Sequence, residues 1–141
     1  MAETLRLHAS CAALNGRAVL ITGPAGSGKS SLTLQLMAYG ATLVSDDQTL
    51  VGLQQGRPSA SAPDPLRGLI EARGVGILNA TPADPTPIHL VIDMGHIEAE
   101  RLPPDRHTDL LGQRLPLLHK SDTCGFAAAI LQYLKAGKVT V

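Results

Sequence analysis

The residues best placed to do chemistry begin with Gly23-Pro24-Ala25-Gly26-Ser27-Gly28-Lys29-Ser30, a full match to the G-x-x-x-x-G-K-[ST] pattern. Glycines there allow dihedrals that turn successive backbone N–H groups inward, and no Cβ stands between backbone and an approaching phosphate. Lys29 is spaced to reach terminal phosphates, and the Ser30 hydroxyl to ligate Mg²⁺. A helix starting at once adds the positive end of its dipole to the same anion. Asp46-Asp47 follows one strand later, where an α/β sheet collects ligands at strand C-terminal ends. A carboxylate at that position can hold Mg²⁺ or its water, or take the proton of an attacking hydroxyl. Two adjacent acids repel unless a cation or a basic group lies between them. Asp93, closing the apolar run from Ile88, is a second candidate for the Mg²⁺-side aspartate. His89 and His96 flank that run, and their spacing fits no metal pattern.

The elements that must position these groups can be read in order. Thr4 to Ala13 is strand-like, Asn15-Gly16 closes a tight hairpin, and Arg17–Thr22 delivers the glycine-rich loop. His8 therefore belongs to a strand paired with the one feeding the loop. Lys29 to Tyr39 reads as a helix with Leu32, Leu36 and Tyr39 on one face and Gly40 after its end. Ala41–Ser45 is a short strand, and Thr49–Leu53 begins a hairpin turning at Gln55-Gly56. The Pro/Ala/Ser-rich stretch from Ala60 to Pro65 reads as irregular. Leu69 to Asn79 is extended, with Glu71 and Arg73 on one side and Gly74-x-Gly76 before a further apolar strand. Thr81 to Pro87, with three prolines, reads as loop. Leu115–Leu118 is a last strand, and Gly125 to Lys135 a closing helix stopped by Gly137.

Composition narrows the function classes. A chain of 141 residues with 44% hydrophobic and 17% charged content is one domain, residues 1–141, large enough for its own core. Twelve basic and twelve acidic side chains cancel, against the basic face of a nucleic-acid binder. Tyr39, Phe126 and Tyr133 are the only aromatics, too few to stack bases. No apolar run approaches the roughly 20 residues of a membrane span, and no signal-peptide core opens the chain. Cys11 and Cys124 form no disulfide or metal pattern. They read as small buried hydrophobes in a reducing cytoplasm.

A phosphate loop alone gives nucleotide binding, and the reaction must be read elsewhere. Asp109-Leu-Leu-Gly112 and His119-Lys120-Ser121-Asp122 are near misses to the switch and base-reading motifs of GTPases. The first follows a proline loop only seven residues before the second, and the second lacks its asparagine. A small-molecule kinase usually carries an arginine-bearing helical lid, and prolines surround Arg101, Arg106 and Arg114. A nucleotide sensor without turnover gains nothing from two acids beside a polyphosphate.

Four pieces in order resemble the catalytic domain of the HPr kinase/phosphorylase family. They are His8, Gly23–Ser30, Leu43-Val44-Ser45-Asp46-Asp47, and Ile70-Glu71-Ala72-Arg73-Gly74-Val75-Gly76-Ile77-Leu78-Asn79. The resemblance is clear over about residues 5 to 100. It implies an α/β phosphate-loop fold with a mixed central sheet flanked by helices, of the phosphoenolpyruvate carboxykinase type. It also implies Mg²⁺-dependent transfer from ATP to a serine of an HPr-like phosphocarrier of the phosphotransferase system, with phosphorolysis of phosphoserine as the reverse activity. By motif, Gly23 to Ser30 would bind the nucleotide, with Lys29 on the β/γ-phosphates and Ser30 and Glu71 on the metal. One of Asp46 and Asp47, by spacing Asp47, would be the base, His8 its polar partner, and Arg101 a loosely aligned arginine on the transferring group. The resemblance implies a homo-oligomer. The chain departs from the family in carrying Ser31 where an acid is usual, and Pro116 to Ser121 where an arginine-rich segment tied to phosphoserine removal is usual. The N-terminal domain of longer members is expected to be absent, as in short proteobacterial forms.

Overall fold

The computed structural model describes residues 3–139. Its organising strand is β9 (Thr86–Ile97), twelve residues long. On one side it runs parallel to β3 (Arg17–Thr22) from Ile88 to Asp93. On the other its start pairs antiparallel with β6 (Arg57–Ser61), and its end runs parallel to β11 (Gln113–Lys120). The sheet continues outward through β2 (Ala9–Leu14) and β4 (Thr42–Ser45) beyond β3. Beyond β6 it continues through β5 (Thr49–Gln54) and β1 (Thr4–Leu7). The central sheet is mixed, as expected: β3, β9 and β11 are parallel neighbours, and the other pairs are antiparallel.

Alternation along the central strands sorts the core into two clusters. Val19 and Ile21 of β3 and Leu90, Ile92 and Met94 of β9 meet helices α1 (Lys29–Ala38) and α2 (Phe126–Ala136), through Leu32, Leu36, Ile130 and Leu134. Ala18 and Leu20 of β3 point the other way, to Val51, Ala60, Val91 and Leu115. Both helices therefore lie on one face, and the far strands close over the other. Ile88 and Val91 share the second face although they are three apart. The reason is a bulge at His89: Ala18 pairs with Ile88, and Val19 already pairs with Leu90.

Several expectations are corrected. Thr4 to Ala13 is two strands that break at His8, because β1 pairs with β5 while β2 lies between β3 and β4. Tyr39 is 64% exposed. Helix α1 ends at Ala38, and Tyr39 caps it at φ −95°, off the buried face. Ala60 and Ser61 are strand, held by Leu50↔Ser61 and Ala60↔Thr86 pairing that composition does not reveal. Thr86 and Pro87 likewise belong to β9 rather than to a loop. Leu69 to Asn79 is a separate hairpin of β7 (Leu69–Ala72) and β8 (Gly76–Asn79), and Ile77 of β8 is exposed. An unanticipated strand, β10 (Arg106–Leu110), joins β11 through Leu111-Gly112, both with positive φ. Asp109 to Gly112 is thus a hairpin end of primed-turn type, which explains its sequence without a switch function. Cys11 is buried as expected, with burial pushing its thiol far up, whereas Cys124 is exposed.

Candidate active site

Strand β3 ends at Thr22, whose hydroxyl donates to the Ile92 carbonyl at 3.0 Å and ties the start of the loop to β9. The loop then turns on Gly23 (φ 140°), Gly26 (φ 80°) and Gly28 (φ 99°). A Cβ on Gly23 would lie 2.9 Å from Ser27 Oγ and 3.0 Å from Met94 Cβ, so the position has no room for a side chain. Gly28 is the N-cap of α1, and no side chain caps that first turn among the described residues. Its N–H groups remain available to an anion. Lys29 is buried, and its Nζ donates to the carbonyls of Gly23 (2.8 Å) and Pro24 (3.0 Å). From behind, Lys120 at the end of β11 donates to the Ser27 carbonyl at 3.2 Å. The lysine of the sequence His119 to Asp122 is therefore a brace for the loop.

The two adjacent aspartates occupy opposite environments. Asp46 is buried and accepts three hydrogen bonds: Ser10 Oγ and Ser30 Oγ donate to its Oδ1 at 2.7 Å each, and the Glu71 N–H donates to Oδ2 at 3.0 Å. It thus ties β2, α1 and β7 together. Asp47 has a left-handed backbone (φ 68°), a conformation aspartate and asparagine tolerate better than most residues. This turns its carboxylate away from Asp46, to His8 Nε2 at 2.9 Å, and the two side chains are 65% and 45% exposed respectively. The expected repulsion is relieved by this divergence, and each acid has its own donors. His8 reaches Asp47 because it sits at the break between β1 and β2, just before Ala9, which pairs with Thr22 at the mouth of the loop.

A cavity of about 300 Å³ lies between these parts. Gly26, Gly28, Lys29 and Ser30 line it from the loop side, and His8, Asp47, Glu71 and Arg73 from the other. Six sequence-predicted side chains, those of His8, Ala25, Lys29, Ser30, Asp47 and Glu71, are brought together there. Asp46 lies beneath it and holds Ser30. Gly23, Pro24 and Ser27 shape the back of the loop and do not line the cavity, and Ser27 Oγ is buried without a partner among the described residues. Arg101 is exposed in the segment between β9 and β10 and is not among the lining residues. Arg106 is held by both oxygens of Glu98, at 3.2 and 3.0 Å, which pulls that carboxyl below its usual range.

Asp93 does not line the cavity. Its carboxylate instead accepts from the Gly95 N–H at 2.8 Å and lies 2.6 Å from His96 Nδ1. Burial raises the Asp93 carboxyl, but these hydrogen bonds and the charges of His96 and His119 outweigh it and hold the group below the usual carboxylate range. Sequence reasoning missed Ser10 as the partner of Asp46, because only the register of β2 with β4 brings it there. It read Arg73 with Glu71 without giving it a place in the site.

The site thus sets a glycine-rich loop and its lysine, at a helix N-terminus, against oxygen-bearing side chains from separate elements of an α/β fold. The sequence profile of the HPr Serine kinase C-terminal domain matches residues 1–114, and the chain belongs to that family. It is 41% identical over 80 residues to an HPr kinase/phosphorylase of Brevibacillus brevis, covering 56% of this chain and 26% of that one. It is 33% identical over 119 residues to one of Clostridium novyi, covering 79% of this chain and 37% of the other. The chain thus spans well under half the length of these relatives. The solved Hpr(Ser) kinase/phosphatase of Coxiella burnetii superposes with a TM-score of 0.78 at 25% identity, covering 93% of this chain and 88% of that one. Among the described residues no helix is long and apolar enough to cross a membrane.

Proposed function

We propose that this chain transfers the γ-phosphoryl group of ATP to a serine hydroxyl on an HPr-like phosphocarrier protein. The observation that carries the proposal is the convergence of His8, Lys29, Ser30, Asp47 and Glu71 on one cavity beside the glycine-rich loop. The loop amides and the N-terminus of α1 hold the phosphates, and Lys29 exchanges its two carbonyl partners for phosphate oxygens. Asp47, exposed and bonded to His8, takes the proton of the incoming serine while the serine oxygen bonds to phosphorus and ADP leaves. His8 fixes the direction of that carboxylate. In the reverse direction the same protonated carboxyl returns its proton to the serine as phosphate attacks phosphoserine, releasing pyrophosphate.

The oxygen-only donor set of Ser30, Glu71 and, through Ser30, Asp46 suits Mg²⁺. Ser30 and Glu71 would hold the ion, which when bound neutralises phosphate charge. Asp46, occupied by three donors, positions Ser30 and the Glu71 backbone and does not act as base.

The test is incubation of the purified chain with labelled ATP, Mg²⁺ and HPr-like proteins from the same source, with the modified residue located by mass spectrometry. Seryl phosphate that disappears with Asp47→Asn is the expected result. ATP consumed only with a metabolite would support a small-molecule kinase instead. Tight ATP binding with no consumption by any acceptor would support a sensor. Among the described residues Arg101, Arg106 and Arg114 lie in loop and in the β10–β11 hairpin, not on a helical lid.

A further inference from the structure

Away from the cavity, at the ends of β9 and β11, Asp93, His96 and His119 each present a ligand atom, and these atoms all lie within 4.8 Å of one another. We propose that this triad is a binding site for a divalent transition metal of the zinc type. The scaffold argues for it first. Asp93 and His119 are direct partners in the parallel pairing of β11 with β9, so two of the ligands stand on adjacent strands in fixed register. His96 follows three residues after Asp93, and its ring stacks on that of His119 with centroids 5.2 Å apart and planes at 26°.

The donor set argues second. Two imidazoles and one carboxylate favour zinc, cobalt, nickel or iron over Mg²⁺, which prefers oxygen alone. This triad is therefore chemically distinct from the oxygen donors of Ser30 and Glu71. The second oxygen of Asp93 is held by the Gly95 N–H at 2.8 Å, an outer contact of the kind that orients ligating carboxylates. Donors about 2.0–2.2 Å from a tetrahedral ion stand roughly 3.4 Å apart, so Asp93 Oδ2 and His96 Nδ1, 2.6 Å apart, must open to admit it. His96, whose side chain is 70% exposed, has solvent on its outer side into which its ring can shift to make that room. The ion then takes the place of the proton between His96 Nδ1 and Asp93 Oδ2. Three protein ligands leave a further position for water.

The location gives the site a consequence. Asp93 pairs with Thr22 at the start of the glycine-rich loop. Gly95 packs against Gly23 and Pro24, and Lys120, next to His119, holds the Ser27 carbonyl. An ion joining β9 to β11 braces the loop from behind.

The test uses the full, untagged chain, stripped with chelator and titrated with Co²⁺ in excess Mg²⁺, following the visible absorption of nitrogen-coordinated cobalt. The expected result is one saturable site per chain, displaced by Zn²⁺, with affinity weakened more than roughly tenfold in both His96→Ala and His119→Ala and unchanged in His107→Ala. Zn²⁺ should also raise the melting temperature of the wild type and leave that of His119→Ala unmoved. His96 is exposed, so its variant keeps the fold and separates metal loss from unfolding. Absence of a saturable Co²⁺ site in the wild type, or equal affinity in the folded His96→Ala protein, overturns the proposal.

Discussion

Replacing Asp46 and Asp47 separately by asparagine distinguishes a structural acid from a reacting one. Asp46 is 6% exposed and accepts three hydrogen bonds, at 2.7, 2.7 and 3.0 Å. Bonds to a charged acceptor contribute about 1 kcal/mol more each than neutral ones, so three of them represent roughly 3 kcal/mol. Burying an amide in place of a carboxylate returns part of this through easier desolvation, leaving about 2 kcal/mol. For a domain of this size that is a fall in melting temperature of about 7 °C. Asp47 makes one exposed contact with His8, of the kind that contributes about 0–1 kcal/mol, and asparagine accepts its left-handed backbone equally well. Its variant should melt within about 4 °C of wild type while losing phosphoryl transfer. Calorimetric melts paired with the serine phosphorylation assay read both quantities. If Asp46→Asn melts like the wild type, or Asp47→Asn falls as far as Asp46→Asn is expected to, the division of roles is wrong.

Three other substitutions test neighbouring parts of the argument. Glu71 bonds to Asp46 through its backbone, so Glu71→Gln should leave the melting temperature nearly unchanged while Mg²⁺-dependent turnover falls. A titration of rate against Mg²⁺ reads this, and equal losses of stability and rate would make Glu71 structural. Gly23→Ala forces a side chain into φ 140° and against Ser27 Oγ and Met94. It should weaken nucleotide binding by at least about tenfold in a calorimetric titration. Burial first, then the charges of Arg57 and Arg17, lowers the pKa of His89 in the fold. The native state therefore binds fewer protons there than the unfolded chain. Its stabilising contribution is present above the unfolded value, about pH 6.5, and is lost as pH falls below it toward the lowered folded value. His89→Gln should flatten the decline of melting temperature between about pH 7 and pH 5. An unchanged slope would remove His89 from the account.

Much of the site was legible because its chemistry depends on short spacings. A loop that must wrap a phosphate with backbone amides demands glycines, a lysine and a hydroxyl within eight consecutive positions, and Gly23 to Ser30 display them in any fold. The acids at 46, 47 and 71 were legible as a set through the order of their motifs. Helix α2 was legible between Gly125 and the stop at Gly137, and the feeding strand β3 from its short apolar run after Asn15-Gly16.

Tertiary structure decided what depends on register between distant segments. Asp46 and Asp47 have the same chemistry on paper. They part because Ser10 on β2 donates to the carboxylate of Asp46 while touching Asp47 only at its N–H, and a left-handed backbone points the Asp47 carboxylate at His8. The break at His8, the inclusion of Pro87 in β9 and the existence of β10 follow from strand pairing, which carries no local signature. Asp93, His96 and His119 meet only because β11 returns parallel to β9 with His119 opposite Asp93. Local sequence specifies a residue's backbone preferences and its chemistry; which side chains share a space is determined by the burial of apolar faces across the whole chain, and that sum is settled only when all the strands are in place.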